Sequence, residues 1–519
     1  MESFVLVAVH VGLGMLIWDC VEVGRNDAAN LINAVFGARV MRRRTAVFVA
    51  GAAVVLGATF ASPVMETVRK GIFEPGRLSL EAVIAVYISV YIVDTVLLYV
   101  FSAFGMPVST TATLVFSLVG AAVGVGLASF GVGDALAVVY WPKVAQVALA
   151  IASSIVLSGC AGFLIQRAFR GAIRNDAADP DRVALHGPWI AGLMLTWLGW
   201  FMLLKGFQGV ALASWIQQTI LERYGIFPVL VFSWFVCTMT VQLGLMAMKE
   251  AGTRLLFPTM AVLGMVCMAF AFGQNDLANC ASPGLSAWWL HQNAHHSVSA
   301  ATAIPIPHWA LFGCGVLMAM GMSTRTAQRV TRAAVNTGSQ FDRVALWAPR
   351  WCRAVARLVV RVGPPAADIA PPSMLTGGKK VHYDSLRASV IMSVSASVIA
   401  FASSRGLPVS TTYVAFAAVV ATGWGDRIFQ RGDAELKMGR AIWVAVSWVM
   451  AAMIATVAAG VVAFAIFRLS LLGLALTLGA NLGVRFYFKR RADSHEERYH
   501  LHAEPTGGAE PEQAELPFD

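Results

Sequence analysis

Two carboxylates, four amides and six hydroxyls recur in this sequence at matched spacings, and they are the residues best suited to chemistry. Gly24-Arg25-Asn26-Asp27-Ala28-Ala29-Asn30 returns as Gly273-Gln274-Asn275-Asp276-Leu277-Ala278-Asn279, so both copies read G-x-N-D-x-x-N. Further along, Gly105-Met106-Pro107-Val108-Ser109-Thr110-Thr111 returns as Gly406-Leu407-Pro408-Val409-Ser410-Thr411-Thr412. Each N-D motif follows an apolar run, and a carboxylate at membrane depth costs ~2.5–3.5 kcal/mol on insertion scales. Asp27 and Asp276 therefore need a compensating role. With Asn30 and Asn279 three residues on, they offer carboxylate and amide oxygens suited to Na+ or a proton. The proline of P-V-S-T-T suits the first turn of a helix. Ser109, Thr110 and Thr111, and their counterparts Ser410, Thr411 and Thr412, add hydroxyls to the free backbone N–H groups there, forming a cradle for an oxyanion. A capping role is the plain reading of either motif alone. Duplication of both in the same order favours binding.

Carboxylates beside an oxyanion pose a charge problem. The repulsion is ~4 kcal/mol per charge pair at 4 Å and an effective dielectric of 20. Moving an anion into an inside-negative cell costs a further ~2.3 kcal/mol per charge per 100 mV. Both costs vanish if cations bind with the anion. The residues thus predict cation-coupled uptake of a tetrahedral anion such as phosphate or sulfate.

The elements that position these groups belong to a membrane protein. The chain has 519 residues, 57% hydrophobic and 13% charged, with a mean hydropathy of +0.67; soluble domains carry about a quarter charged residues. The net charge of +10 sits in loops between apolar segments, which argues for membrane topology and against nucleic-acid binding. The first apolar run is read as retained, because no basic n-region or cleavage site accompanies it. Seven scattered cysteines with no C-x-x-C predict neither a disulfide framework nor a zinc site. Apolar segments fall near 4–22, 46–62, 82–104, 112–130, 143–167, 189–206, 226–248, 256–272, 309–321, 388–404, 413–423, 441–466 and 468–486. The expected fold is an all-α integral membrane protein of about a dozen segments. Some segments beside the motifs are shorter than the ~20 residues of a full span, which predicts broken helices or re-entrant hairpins there.

Arginine placement orients the chain. Arg39, Arg42, Arg43 and Arg44 follow the first N-D motif, and basic clusters recur at 167–182, 427–440 and 485–491. Placing these in the cytoplasm puts the N-terminus outside and the C-terminus inside. No Lys or Arg occurs from Leu255 to Thr324, so the second motif's helix runs the opposite way. The halves are expected to be inverted repeats: 1–188 as the first, 189–255 as connecting helices and 256–486 as the second. Within the second, 322–387 reads as a basic cytoplasmic insertion, partly helical at best, and 487–519 as a disordered cytoplasmic tail.

Taken together, G-x-N-D-x-x-N and G-[ML]-P-V-S-T-T in two inverted copies resemble the inorganic phosphate transporter (PiT) family. The resemblance covers nearly all of the membrane part. It implies two inverted repeats whose hairpins meet at a central phosphate site in a multi-pass protein of the inner (plasma) membrane, with lipid around it. It places Asn26, Asp27, Asn275 and Asp276 in the ion and phosphate sites, with the six hydroxyls around the phosphate, and it implies a homodimer. No cofactor beyond the coupling ion, H+ or Na+, is expected, and no metal beyond Na+ at Asp27 and Asp276. One departure stands out. Sodium-coupled members carry a glutamate 27 residues after the motif aspartate and another 18 before the second motif serine, where this chain has Val54 and Met392. That shifts the expected coupling ion from Na+ modestly toward H+. Asp94 is a spare carboxylate in an apolar run. His291, His295 and His296 read as solvated loop residues, and Asp19 and Glu22 as neighbours of the motif with Arg25 as partner. Sulfate is the alternative substrate, and an anion receptor with 322–387 as its output is the alternative class. No nucleophile–base pair, metal spacing or nucleotide loop points to an enzyme or a primary pump.

Overall fold

The computed structural model describes residues 2–61, 72–174, 179–202, 211–293, 306–341, 344, 346–360, 375–376, 379–430 and 432–502. Described in chain order, the longer helices are α1 (Glu2–Gly37), α2 (Arg43–Thr59), α3 (Leu80–Ala103), α4 (Thr110–Phe130), α5 (Trp141–Ala172), α6 (Pro180–Gly199) and α7 (Ile226–Met248). They continue with α8 (Glu250–Gln292), α9 (His308–Met322), α10 (Arg325–Thr337), α11 (Arg350–Val359), α12 (Ser385–Ser404), α13 (Thr411–Gly425) and α14 (Ala434–His502). The strands described are a two-residue antiparallel pair, Leu375–Thr376 with Lys379–Lys380. Among the described residues eight helices are long and apolar enough to cross a membrane: α1, α3, α4, α5, α7, α8, α12 and α14. An all-helical bundle is what a hydrocarbon solvent demands, since each helix satisfies its own backbone polar groups.

Burial sorts these helices into layers. α3 and α12 have 83% of their most apolar stretch buried, whereas that of α7 contains no buried residue and presents Phe227, Phe232 and Phe235 outward, as lipid-facing helices do. α1 and α8 pack on each other at the centre. Around them the contacts come in matched sets: α1 on α3 and α9 matches α8 on α12 and α2, and α4 on α14 matches α13 on α5. The first glycine of each N-D motif makes this packing possible. A Cβ on Gly24 would lie 1.8 Å from the Met318 carbonyl oxygen of α9, and one on Gly273 would lie 2.3 Å from that of Val54 on α2.

The helix breaks expected beside the duplicated motifs occur at one pair of motifs and not at the other. Both N-D motifs sit inside unbroken helices of 36 and 43 residues. The interruptions fall instead at the proline motifs, between α3 and α4 and between α12 and α13. There Gly105 (φ 65°) and Gly406 (φ 63°) take the left-handed conformation that ends each preceding helix. A further reversal lies within α14 at Ser470 (φ 50°), since a Cβ on Gly473 would meet the Ala465 carbonyl oxygen at 2.3 Å. Its two arms are 434–469 and 471–502. The second arm carries helix through 487–502, where composition suggests a disordered tail; 503–519 lie outside the described residues. Part of the 322–387 insertion is built into the bundle: α10 packs on α1, and Tyr383 lies against Gly37. Its residues 361–374, the loop segment 62–71 and His295 and His296 lie outside the described residues.

Candidate functional site

All four motifs meet at one buried junction. Asn26, Asp27 and Asn30 come from the C-terminal third of α1, and Asn275, Asp276 and Asn279 from the C-terminal half of α8. The six hydroxyl residues come from the starts of α4 and α13. Every one of the twelve is buried. Ser109 and Ser410 are the N-caps, accepting from the backbone N–H of Ala112 and Tyr413. Helices therefore do start at these motifs, but Pro107 and Pro408 lie two residues before the serine caps, outside the first turn where the sequence reading puts them, and two threonines follow each cap.

Each motif asparagine holds the proline loop of its own half. Asn26 Nδ2 donates to the Val108 carbonyl at 2.6 Å, and its Oδ1 accepts from Val108 N at 3.3 Å and Ser102 Oγ at 3.2 Å. Asn275 repeats this on Val409 at 2.7 and 3.3 Å, with Ser403 Oγ at 3.5 Å. An amide that grips both the N–H and the C=O of one residue fixes that loop's position.

Each motif aspartate reaches across to the other half. Thr412 Oγ1 of α13 donates to Asp27 Oδ1 at 2.7 Å, and Thr110 Oγ1 of α4 donates to Asp276 Oδ1 at 2.7 Å. Asn30 and Asn279 brace these carboxylates, donating from Nδ2 to Asp27 Oδ1 at 2.6 Å and Asp276 Oδ1 at 2.8 Å. Thr111 also crosses over, donating to the Val409 carbonyl at 2.9 Å. Three buried oxygens at the junction have no hydrogen-bond partner: Asp27 Oδ2, Asn279 Oδ1 and Thr411 Oγ1. Two of them are acceptors suited to a cation or proton; the third, a hydroxyl, suits an anion. The two positions where sodium-coupled transporters carry glutamate hold fully buried Val54 and Met392.

Other buried charges eluded the sequence reading. Arg25 pairs with Glu22 at 2.8 Å, as expected, but not with Asp19, whose Oδ1 has no partner. Arg485, placed by its neighbours in a basic loop, lies instead in the second arm of α14. It bonds Glu22 and the Thr95 carbonyl and sits 4.3 Å from the ring centres of both Trp18 and Tyr99. At one end of the bundle Arg170 of α5 bonds Asp384 and Asp426, which share the Gln340 amide. Arg387 is fully buried and donates to the Gly338 and Val419 carbonyls at 2.7 and 2.9 Å. No periodicity marks a basic residue for burial, since its partners are backbone carbonyls that any sequence supplies. Among the described residues no group of three or more His, Cys, Asp or Glu is placed to hold a metal ion.

The chain is similar to known proteins in sequence and in fold. The sequence profile of the phosphate transporter family matches residues 23–340 and 346–461. A candidate phosphate permease of Pyrococcus horikoshii is 26% identical over 467 residues, covering 89% of this chain and 97% of its own length. Inorganic phosphate transporter 2-1, chloroplastic, of Arabidopsis thaliana is 24% identical, covering 83% and 67%. A solved structure of a sodium-dependent phosphate transporter is similar in fold, with a TM-score of 0.64 at 20% identity, covering 90% of this chain and all of that one.

Proposed function

The chain belongs to the phosphate transporter family, and from that premise we propose that it imports inorganic phosphate across the cell membrane by cation-coupled symport with alternating access. Transport, and not catalysis, is the work of its relatives. In this reading the halves are inverted repeats around the junction of α1, α8, α4 and α13, with the N-terminus outside and the C-terminus in the cytoplasm. The observation that carries it is the crossed pairing, Asp27 with Thr412 and Asp276 with Thr110. A carboxylate of one half and a helix start of the other share each subsite, so a shift between the halves changes cation and anion contacts together. The hydroxyls and free N–H groups of Ser109–Thr111 and Ser410–Thr412 take the phosphate; Asp27 and Asp276, braced by Asn30 and Asn279, take the cation. Asn26 and Asn275 act by holding the loops.

The coupling ion is read as H+ in preference to Na+. Among the described residues, one carboxylate and one amide oxygen at the junction are without partners, and the neighbouring positions 54 and 392 are apolar. A proton needs one carboxylate oxygen, whereas a hard cation needs a shell of oxygens. Uptake of labelled phosphate into proteoliposomes, with Na+ and pH gradients imposed independently and sulfate as competitor, tests all of this. Uptake should rise with an inward proton gradient, persist without sodium, collapse with a protonophore and resist excess sulfate. Uptake that needs sodium and ignores pH removes the proton reading; efficient competition by sulfate removes phosphate selectivity.

A further inference from the structure

Asp94 lies in the middle of α3, is 2% exposed, and its Oδ1 has no hydrogen-bond partner. Among the described residues no cation forms an ion pair with it. It faces the hydroxyls of Thr113 and Ser117 on α4, and the Ser117 hydroxyl is itself without a geometric partner. Asp19 of α1, also buried and with an unpartnered Oδ1, stands within electrostatic reach. Around the pair are Glu22 of α1, Arg485 of α14 and Tyr91 of α3. Arg485 does not neutralise Asp94, being committed to Glu22 and to the Thr95 carbonyl. Tyr91 donates to the Cys280 carbonyl at 2.6 Å. On the same side Asn481 of α14 donates to Ile92 O and Thr95 Oγ1, while its Oδ1 is unpartnered. A carboxylate in apolar surroundings without a cation is too costly to leave charged, so it carries a proton or binds a cation.

The surroundings also connect Asp94 to the junction. Thr113 Oγ1 donates to the Thr110 carbonyl at 3.0 Å, and Thr110 Oγ1 donates to Asp276 Oδ1 at 2.7 Å. A change at Asp94 that recruits or releases Thr113 thus acts on the helical turn that binds Asp276.

We propose that Asp94, faced by Asp19, is a second cation site of this transporter, that its cation is a proton, and that it is linked to the Asp276 subsite through the first turn of α4. This rests on the reading of the chain as a proton-coupled symporter. The proton arrives as H+ from one side, forms an O–H bond at Asp94 Oδ1, and leaves as H+ to the other side, with no other bond made or broken.

The test uses the full chain in proteoliposomes with labelled inorganic phosphate and two readouts. Net uptake is driven by an inward gradient of one pH unit, worth about tenfold in accumulation per coupled proton. Phosphate–phosphate exchange at equal pH needs no net proton movement. Asp94→Asn should lose about tenfold or more of the gradient-driven uptake while exchange falls about threefold or less, and Asp94→Glu should restore the response. An Asp94→Asn protein that follows the pH gradient like the wild type overturns this inference alone. Equal loss of both activities in a normally inserted variant, with no rescue by Asp94→Glu, makes the residue structural and also overturns it. Wild-type uptake indifferent to the pH gradient overturns both this inference and the proton reading beneath it.

Discussion

The two half-sites are built from the same motifs, yet they are dressed differently. Asp27 accepts from the third hydroxyl of the opposite helix start, Thr412, and leaves Oδ2 without a partner. Asp276 accepts from the second, Thr110, and its Oδ2 accepts from Asn275 at 3.3 Å. The leftover hydroxyls differ accordingly: Thr111 reaches the Val409 carbonyl, while Thr411 has no geometric partner. By contrast, the asparagine grips on Val108 and Val409 agree to within 0.1 Å in their N–H···O bonds. What is alike in the halves is the scaffold; what differs is the set of groups that would contact ions. The proposed alternating access would use that division, because a fixed scaffold with exchangeable contacts would let the roles of the halves alternate.

The largest effect should come from removing either carboxylate. Asp27→Asn and Asp276→Asn should each reduce net phosphate uptake by about a hundredfold or more with insertion unchanged, since each loses the carboxylate that takes the coupling ion while the neutral amide keeps its shape. Wild-type transport by a well-inserted variant would reduce that aspartate to a helix cap. Next are the crossed hydroxyls. Thr412→Val and Thr110→Val each lose a hydrogen bond to a carboxylate, worth roughly 1.5–3 kcal/mol, so uptake at low phosphate should fall about 10- to 100-fold. Thr111→Val loses a bond to a backbone carbonyl, worth about 1 kcal/mol. Equal losses at 110 and 111 would erase the distinction between the half-sites.

The scaffold side of the comparison predicts equality. Asn26→Ala and Asn275→Ala should destabilise the purified protein by the same amount, about 1–3 kcal/mol each. Clearly unequal thermal shifts would show that the two loops are held differently. The smallest effect lies at the end of the bundle where Arg170 joins α5 to α12 and α13. Burial pushes the Asp384 carboxyl up, but the Arg170 guanidinium, the Gln340 amide and the Arg387 backbone N–H outweigh it and hold it below its ordinary value. A lowered carboxyl stabilises the folded state above the ordinary range and loses that contribution as pH falls through the lowered value. Arg170→Gln should therefore cost about 1 kcal/mol at neutral pH and flatten the loss of stability below about pH 4. An unchanged acid profile would mean that Arg170 contributes little there.

Much of this architecture was legible because its signals are local. The hydroxyl run of P-V-S-T-T favours a helix start, and α4 and α13 begin there. Breaks beside the N-D motifs are what the short apolar segments there suggest, since several fall below the ~20 residues of a full span. Here the glycines are used for close approach to α9 and α2, and the polar side chains find partners across the bundle, so α1 and α8 continue. The placement of Arg485, Arg387 and the helix through 487–502 depended on long-range partners that neither composition nor spacing reveals. Crossed pairing of Asp27 with Thr412 was equally invisible, since 385 residues separate them.

The central claim is that the two copies lie in opposite orientation around one shared site, and thiol labelling from each side of the membrane tests it most directly. In a background with the seven native cysteines replaced by serine, Arg42→Cys reports the end of the first N-D helix and Gln292→Cys the end of the second; both positions are exposed. Opposed halves predict that an impermeant thiol reagent reaches position 42 only from the cytoplasm and position 292 only from outside. Labelling of both from the same side would contradict the inverted arrangement and with it the shared crossed site.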